Sequence, residues 1–359
     1  MVFILDATLR EGAQSPAARF TRRRQLAILR GLSALGVEEA EIGCASRDRE
    51  LIGLVKAARR VAPGLRLSVW CRGLPTDLAI GAASGADFVH ASLPVSRLHL
   101  HRRLGKDEAW LWEQIPRAAS AARRSGARAI SIGFEDATRA DPETLLDACR
   151  RAYEAGYDRL RLADTVSAAS PEGLAGLVRL AATAFRGPVG VHCHDDFGLA
   201  TGNAVAALEA GAAWTDGCLL GGGERAGTAR TESLAAWLAV HGGDTYDLTV
   251  LPALCRQAAV ALGRPISPHA PVIGSAIWQV ASGLHVDGVA KEPRTYEPFL
   301  PELVGAAREL RLGPQSGRAA VAHVLADADP VRIESALSRL RAGQTMMTTA
   351  QARHRLAQE

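Results

Sequence analysis

The sequence predicts an α/β fold, a (β/α)8 barrel followed by a small and mostly helical C-terminal subdomain. Two patterns in about the first 240 residues support this prediction. Short apolar runs of strand length alternate with longer stretches, rich in alanine and leucine, that have helical spacing, and this alternation is typical of a parallel sheet. Glycine also follows several helical stretches just before the next apolar run, where a helix needs a left-handed C-cap.

The strands and helices can be assigned in order along the chain. Eight strand–helix pairs are found, and eight is the number that closes a TIM barrel. An open, doubly wound sheet is the alternative, but no Gly-x-Gly-x-x-Gly follows the first strand, which disfavours it. The predicted strands are residues 2–5, 38–42, 65–70, 88–91, 129–134, 159–162, 189–192 and 215–220. The predicted helices include residues 22–35, 47–61, 110–124, 142–155, 171–184 and 203–210.

The alternation stops after about residue 243. Prolines cluster at positions 252, 265, 268 and 271, which indicates a linker or an irregular segment. We therefore expect a catalytic barrel over residues 1–243, a linker over 244–274 and a helical subdomain over 275–359. The last segment is too short for an independent catalytic domain, so we interpret it as an appendage of the barrel.

The composition is that of an ordinary globular protein. Hydrophobic residues make up 48% of the 359 residues and charged residues 22%, which excludes a disordered or fibrous chain. No apolar run approaches the roughly 18 residues that span a bilayer, and no basic leader precedes an apolar stretch at the start. The six cysteines form no Cys-x-x-Cys pair. We therefore expect a reduced, cytoplasmic protein without a membrane partner.

The net charge of +4 does not indicate a nucleic-acid partner. All but three of the 42 basic residues are arginine, and they are spread along the chain instead of gathering in a recognisable module. A genome-wide preference for arginine over lysine explains the bias better, so we expect no nucleic acid to bind.

Polar residues gather where the predicted strands end, which is where a barrel carries its functional groups. The seventh strand leads into Gly190-Val-His-Cys-His-Asp-Asp-Phe-Gly198. His192 and His194 are two residues apart, so on a strand both side chains point to the same face. Two imidazoles beside Asp195 and Asp196 favour a divalent-metal site, in which carboxylates orient the ring N–H groups.

Two histidines need a further ligand, and the loop after the first strand offers one. Only the eighth strand separates strands 1 and 7 in a closed barrel, so the carboxylate of Glu11 can reach the same metal. Two imidazoles and one carboxylate leave open positions for substrate and water. Arg10 would provide a fixed positive charge for a developing oxyanion. An ordinary salt bridge between Arg10 and Glu11 is the structural alternative.

The loops after other strands add weaker signals. Glu135, after the fifth strand, is a candidate general acid or base. Arg139 and Thr165 are candidates for holding a substrate carboxylate. The glycines of residues 221–227 permit close backbone approach to a ligand, although a tight turn would also use them.

These motifs resemble those of a known family. Asp6-x-Thr-Leu-Arg-Glu, His192-x-His194-Asp-Asp-x-Gly-Leu-Ala and Gly-Glu-Arg-Ala-Gly227 are similar to the motifs of the DRE-TIM metallolyases. That family includes homocitrate, isopropylmalate and citramalate synthases and hydroxymethylglutaryl-CoA lyase. The strongest likeness is to the homocitrate synthases of nitrogen fixation, and it runs from residue 2 to about residue 325.

The resemblance implies an acyltransferase that performs a metal-dependent Claisen condensation of acetyl-CoA with 2-oxoglutarate, giving homocitrate and CoA. It implies a homodimer in which the small subdomain reaches into the partner's barrel. The divalent metal is Mn²⁺, Mg²⁺, Zn²⁺ or Co²⁺. By position, the resemblance implies that Glu11, His192 and His194 bind the metal, that Arg10, Glu135, His285 and Tyr296 are catalytic, and that Arg139, Thr165 and His101 contact the 2-oxo acid.

The sequence departs from the family pattern at several active-site positions, which puts the acceptor and the metal affinity in question. The departures are Ala7 for Thr, Ala13 for Glu, Thr228 for Asn, Val280-Ala281 for His-Glu and Pro314-Gln315 for Lys-His. A citramalate or other alkylmalate synthase with a different 2-oxo acid is therefore one alternative, and a degenerate, non-catalytic barrel is another. A carbon–carbon lyase is disfavoured because residues 221–227 lack the lyase's loop cysteine.

Overall fold

The computed structural model describes residues 2–46, 50–243, 246–325, 329–343 and 346–357. The chain divides into two compact units. The first comprises Met1–Asp247 and Ala253–Ile266, and the second comprises Leu248–Pro252 and Ser267–Glu359. Within the described ranges, none of the helices has both the length and the apolar character needed to span a bilayer.

Eight parallel strands form a closed barrel in the first unit, in chain order, with the last strand pairing with the first. This confirms the predicted (β/α)8 fold. Closure brings the carboxyl ends of all eight strands to one rim, where the loops that follow them meet. The strands are β1 (Phe3–Asp6), β2 (Glu39–Cys44), β3 (Arg66–Arg72), β4 (Phe88–Pro94), β5 (Ala129–Glu135), β6 (Arg159–Asp164), β7 (Val189–Cys193) and β8 (Trp214–Gly217).

Helices follow the strands and are bounded by the expected local signals. Asp141 and Ser170 cap two helices with their side chains, and each is followed by proline at the first helical position. Gly36 ends the first helix in the left-handed conformation, with φ of 96°. The helices are α1 (Arg22–Leu35), α2 (Leu51–Val61), α3 (Pro75–Ala83), α4 (Glu108–Arg124), α5 (Pro142–Glu154), α6 (Pro171–Ala184), α7 (Ala200–Glu209) and α8 (Thr231–Trp237).

Several predicted boundaries differ from the structure by one to four residues, and the end of the eighth strand and the start of the second helix are two examples. The strand predicted for 215–220 ends at Gly217, because the chain turns into a 3-10 turn over Leu219–Gly221, where Leu220 has φ of 58°. The helix predicted for 47–61 begins at Leu51 in the structure, and residues 47–49 lie outside the described residues. At the end of the eighth strand the apolar pattern continues past the point where the backbone turns.

The interior of the barrel carries charge. Arg159 on β6 donates to both oxygens of Glu39 on β2, at 2.7 and 2.6 Å, and its guanidinium lies 3.7 Å from the ring centre of Phe88. Barrel interiors are usually filled by branched apolar side chains, so this buried ion pair sets the barrel apart. The apolar core lies mainly between strands and helices, where Phe134 and Leu32 are fully buried.

The second unit is mostly helical, as predicted, and also contains a small sheet. Strands β9 (Gln279–Val280), β10 (Glu309–Leu312) and β11 (Met347–Thr348) lie in the order β11-β10-β9. The sequence did not predict them, because strands of two to four residues are too short to show a period. The helices of this part of the chain are α10 (Gly283–Lys291), α11 (Arg318–Val324), α12 (Pro330–Ala342) and α13 (Thr349–Ala357).

The segment interpreted as a linker contains a regular helix. This helix, α9, spans the 12 residues Leu251–Leu262. Pro252 is its second residue, and proline is tolerated in the first turn because the N–H there has no intrahelical partner. The first proline of the cluster therefore lies in the first turn of a helix, and the cluster as a whole does not mark an irregular segment.

Candidate active site

Three buried side chains form a cluster of possible metal ligands at the carboxyl rim of the barrel. Glu11 lies in the loop after β1, His192 lies on β7, and His194 follows directly after β7. One ligand atom from each side chain lies within 4.8 Å of the other two. The Nε2 atom of His192 is 3.8 Å from a carboxylate oxygen of Glu11. The structure thus brings together the three residues that the sequence analysis selected.

The donor set suits a divalent cation. His192 places Nδ1 2.9 Å from a carboxylate oxygen of Asp216, which favours the tautomer with hydrogen on Nδ1 and leaves the Nε2 lone pair facing Glu11. The Nδ1 atom of His194 is buried and has no hydrogen-bond partner among the described residues. Two imidazoles and one carboxylate are ligands that several divalent metals accept.

Electrostatics favour the protonation states that a cation needs. Burial lowers the pKa of His192 well below its usual value, and the neighbouring His194 and Arg10 lower it further. Burial also lowers the pKa of His194. Burial opposes the ionisation of Glu11, but the Arg10 guanidinium together with His192 and His194 outweighs it, so the pKa of Glu11 lies below its usual value. Near neutral pH the cluster therefore offers two neutral imidazoles and one carboxylate.

Arg10 is buried beside this cluster. Its guanidinium pairs with Glu11 and with Glu41, which lies on β2. The salt bridge between Arg10 and Glu11, which the sequence left as a structural alternative, is therefore present. It does not exclude a catalytic part for Arg10, because the same guanidinium also borders the cavity described next.

A cavity of about 230 Å³ opens at the cluster. Three arginines, Arg10, Arg103 and Arg161, border it together with three glutamates, Glu11, Glu135 and Glu224, so the charged groups of its lining balance in number. Six of the residues predicted from the sequence line it: Arg10, Glu11, Glu135, Thr165, His192 and His194.

Glu135 and Thr165 are held in the cavity wall by defined contacts. The Glu135 carboxylate accepts a hydrogen bond of 2.9 Å from the Ser92 hydroxyl and pairs with Arg103. The Thr165 hydroxyl accepts a hydrogen bond of 2.8 Å from the backbone N–H of Asp136. Glu135 is thus fixed at the cavity and ion-paired, which keeps a carboxylate in reach of a bound substrate.

Two residues predicted to contact the 2-oxo acid lie elsewhere. Arg139 donates to both oxygens of Asp136, at 2.8 and 2.9 Å, and does not line the cavity. His101 is exposed, and its Nε2 atom lies 3.7 Å from Glu108. Asp136, three residues before Arg139 in the sequence, pairs with the arginine locally. Their contact with substrate stays a prediction.

His285 and Tyr296 lie in the second unit. Their ring centres are 4.1 Å apart and the rings are tilted by 36°. Both side chains are exposed. His285 and Tyr296, which the resemblance singled out, are therefore in direct ring contact, and their catalytic parts stay predictions.

The loop after β8 packs tightly beneath the cluster. Gly227 has φ of 98°, and a Cβ atom there would lie 1.8 Å from the carbonyl oxygen of Gly221. This glycine serves a tight turn. Thr228, one of the departures from the family pattern, is buried, forms a bridge with His194, and donates its hydroxyl to the carbonyl of Gly222 at 3.2 Å. The other notable departure, Ala13, is exposed.

Several site residues were missed from the sequence. Glu41 pairs with Arg10, and Asp216 contacts His192. Arg161 pairs with both Glu41 and Asp216. A signal was available for two of these, because Glu39-x-Glu41 and Arg159-x-Arg161 carry opposite charges at the strand period of two. No local pattern distinguishes Asp216.

A second, apolar cavity of about 390 Å³ lies next to the first. Glu135 and Arg103 border both cavities. The wall of the second one is mainly apolar and contains Trp70, Leu74, Leu93, Leu104 and Trp110. The site therefore combines a charged cavity with a mainly apolar one, and the ion pair of Arg103 and Glu135 borders both.

Comparisons with known proteins place this arrangement in a family. Residues 1–257 match the family described as HMGL-like, and residues 272–344 match the one described as homocitrate synthase post-HMGL domain-like. The homocitrate synthase of Frankia alni is 38% identical over 326 residues, which cover 89% of this chain and 92% of the relative. The 2-isopropylmalate synthase of Solidesulfovibrio magneticus is 37% identical over 335 residues, covering 89% of this chain and 65% of the relative.

Solved structures agree on the fold. The HMG-CoA lyase of Bacillus subtilis superposes with a TM-score of 0.66 at 20% identity, covering 74% of this chain and 95% of the lyase. At that identity the likeness concerns the barrel alone. The resemblance indicated by the sequence motifs is confirmed by the family matches and by the similarity to the Frankia synthase over most of both chains. The chain therefore belongs to the HMGL-like family, in which it is an acetyl-CoA-dependent transferase of the alkylmalate synthase type.

Proposed function

We propose that the enzyme condenses acetyl-CoA with 2-oxoglutarate to give homocitrate and CoA. The observation that carries this proposal is the cluster of Glu11, His192 and His194 beside Arg10, in a cavity bordered by three arginines. 2-Oxoglutarate is a dianion, and the arginines of the cavity are already paired with carboxylates, so a divalent cation held at the cluster would supply the positive charge for the carboxylate and 2-oxo group of the acceptor. The similarity to homocitrate synthases over about nine-tenths of the chain supports the same acceptor.

Glu11, His192 and His194 are the residues that would hold the cation. A bound divalent cation would supply Lewis acidity to the carboxylate and 2-oxo group of the acceptor. Arg10 faces the same space with a guanidinium fixed by Glu41. That fixed charge stabilises the negative charge that develops on the 2-oxo oxygen as it becomes an alkoxide.

The carbon–carbon bond requires removal of a proton from the acetyl methyl group. Glu135 and His285 are the candidate bases. The methyl carbon, once deprotonated, attacks C2 of the acceptor, and the electron pair of the C=O bond moves to its oxygen. Water then cleaves the thioester, which releases the CoA thiol and leaves a carboxylate. Exchange of the acetyl methyl protons with solvent deuterium, compared between Glu135→Gln and His285→Gln, identifies the base.

The apolar cavity supports a second candidate function. An alkylmalate synthase that takes a 2-oxo acid with an apolar side chain would place that side chain among Trp70, Leu93 and Trp110. The two candidates share the chemistry at the cluster and differ only in the acceptor.

A homodimer is also part of the proposal, and it rests on the resemblance alone. Sedimentation velocity of the full chain measures it directly. A monomer at micromolar concentration would contradict it.

The test of function is the release of free thiol from acetyl-CoA with Mn²⁺, across a panel of 2-oxo acids. The panel contains 2-oxoglutarate, 2-oxoisovalerate, pyruvate, oxaloacetate and glyoxylate, each repeated with EDTA. EDTA-sensitive release with 2-oxoglutarate supports the homocitrate synthase. Release with 2-oxoisovalerate alone supports the second candidate. The Glu11→Ala variant is the control and should release no CoA; full activity in it would contradict the proposed metal site.

A further inference from the structure

Six side chains at the base of the charged cavity are joined in sequence by five ion pairs or hydrogen bonds, and a sixth, longer contact completes a ring, which we call the ion-pair ring. In order, its members are Glu11, Arg10, Glu41, Arg161, Asp216 and His192. All six are buried. The ring closes through the contact of 3.8 Å between His192 and Glu11.

Arg161 lies on the opposite side of the ring from Glu11. One nitrogen of its guanidinium, Nη1, lies 3.0 Å from Glu41 and 2.7 Å from Asp216. Glu41 in turn holds Arg10, and the Asp216 oxygen that Arg161 contacts also contacts His192. The Nη1 atom of Arg161 therefore bridges Glu41, which pairs with Arg10, and Asp216, which contacts His192.

We propose that Arg161 is a positioning residue that fixes both the metal ligand His192, through Asp216, and Arg10, through Glu41. This inference rests on the proposed function, since it assigns a part to a residue of the same site. Without the guanidinium, two buried carboxylates would face each other with no cation between them. Buried charges that lose their partner are strongly destabilised, so Glu41 and Asp216 would move apart and release the groups they hold.

The charge of the ring gives this proposal a distinctive sign. Three carboxylates face two guanidinium groups, so the ring carries one net negative charge with His192 neutral. Replacing Arg161 by a neutral residue removes a positive charge, and Coulomb's law alone predicts that a divalent cation would then bind more tightly. A positioning role predicts weaker binding, because the loss of a residue that orients a metal ligand typically lowers metal affinity or activity by about 10- to 100-fold.

Arg159 provides a matched control on the same strand. It lies two residues before Arg161 on β6, points into the same barrel interior, and has a side chain that is equally buried at 5% exposure. Its carboxylate partner is Glu39, which is not a member of the ring. Loss of either arginine breaks a buried ion pair, but only the loss of Arg161 breaks the ring.

The experiment compares Arg161→Met, Arg161→Lys, Arg159→Met and Arg159→Lys in the full chain. Three quantities are measured: the Mn²⁺ dissociation constant by calorimetry without substrate, kcat and KM for CoA release, and the melting temperature. We expect Arg161→Met to weaken Mn²⁺ binding by about 10- to 100-fold and to lower kcat. Arg161→Lys should recover most of both losses, because one ammonium nitrogen can bridge the two carboxylates as Nη1 does. Arg159→Met should lower the melting temperature and leave the dissociation constant unchanged.

Unchanged or tighter Mn²⁺ binding in Arg161→Met would overturn the proposal, and so would equal weakening in Arg159→Met. If Arg161→Met does not fold, the uncharged and polar Arg161→Gln and Arg159→Gln variants decide: equal dissociation constants overturn the proposal, and a weaker constant for Arg161→Gln alone supports it. Failure of the proposed function is separately visible, because wild-type protein would then bind no Mn²⁺ or release no CoA. In that case the variants are not needed to reject the inference.

Discussion

Asp6, the last residue of β1, is a buried carboxyl with three hydrogen-bond donors around it. The backbone N–H and hydroxyl of Thr8 donate to it at 3.0 Å each, and the Thr231 hydroxyl donates at 2.6 Å. Burial nevertheless raises the pKa of Asp6 to about 6, because the desolvation of the carboxylate outweighs these bonds. Asp6 thus ties β1 to the start of α8 and titrates within a useful pH range.

The Asp6→Asn variant should become more stable relative to the wild type as the pH rises. Since the folded pKa lies above the unfolded one, protonated Asp6 stabilises the fold below about pH 4, and this contribution is lost as the pH rises through 6. The loss is on the order of 3 kcal/mol for a shift of this size. Asparagine does not titrate, so the difference in unfolding free energy between Asp6→Asn and wild type should shift in favour of the variant between pH 5 and pH 8.

Denaturant unfolding of both proteins at several pH values measures this difference, and the contributions of all other groups cancel in it. Asp87→Asn is the control, because that carboxylate is partly exposed and ion-paired with Arg59 at 2.7 Å. A difference for Asp6→Asn that is constant from pH 5 to pH 8 would show that the Asp6 carboxyl does not ionise in that range.

At the scale of elements, the loop after β8 is closed by a tight turn that contacts the end of β7. Gly227 closes it by lying against the carbonyl of Gly221, and its own carbonyl accepts a hydrogen bond of 2.9 Å from the N–H of Asp195. Asp195 follows His194 directly. The loop therefore buttresses the end of β7, and its closure bears on the placement of a metal ligand.

The Gly227→Ala variant should destabilise the barrel and displace His194. A Cβ atom at 1.8 Å from the Gly221 oxygen forces the loop to open, in addition to the strain of alanine at a positive φ. Gly126→Ala is the matched control, because Gly126 also has a positive φ, 85°, but a Cβ atom there has open space around it. Thermal unfolding should show a loss of roughly 1–2 kcal/mol for Gly126→Ala and a larger loss for Gly227→Ala. Only the latter should weaken Mn²⁺ binding, and equal losses in the two variants would contradict the buttressing argument.

The eight strands and the ligand cluster were predictable because their signals are local. A strand is a short apolar run between turn residues, and the spacing of His192 and His194 puts both imidazoles on one face whatever the rest of the fold does. Strand ends were less accurate where backbone geometry decides, as at Gly217. The short strands of the second unit left no periodic signal at all.

The ring was missed because its pairing depends on closure of the barrel. Arg161 and Glu41 are separated by 120 residues in the sequence, and so are Arg159 and Glu39. The period-two charges on β2 and β6 are visible in the sequence, but only a closed barrel brings these two strands to face each other. Arg139 is a different case, because its partner Asp136 lies only three residues before it and the sequence prediction did not weigh this local ion pair.

At the scale of the whole molecule, the ligands of the site come from distant parts of one unit. Glu11 lies near the start of the first unit, and His192 and His194 lie after its sixth helix. A cation site formed by all three ligands exists only when the barrel is closed. Binding therefore adds to the free energy of unfolding of the first unit, and the second unit supplies none of these three ligands.

Addition of Mn²⁺ should raise the melting temperature of the first unit, and EDTA should reverse the rise. At a free concentration 100 times the dissociation constant, binding adds about 2.7 kcal/mol, which corresponds to a rise of roughly 5–10 °C for a barrel of this size. A separately resolved transition of the second unit should not move. His194→Ala should lose the Mn²⁺ shift because one ligand is missing, whereas His269→Ala, which removes an exposed histidine outside the cluster, should keep it. An Mn²⁺ shift of the same size in His194→Ala would mean that the ion stabilises the barrel from a different site, since a cluster reduced to one imidazole and one carboxylate cannot hold it with equal affinity.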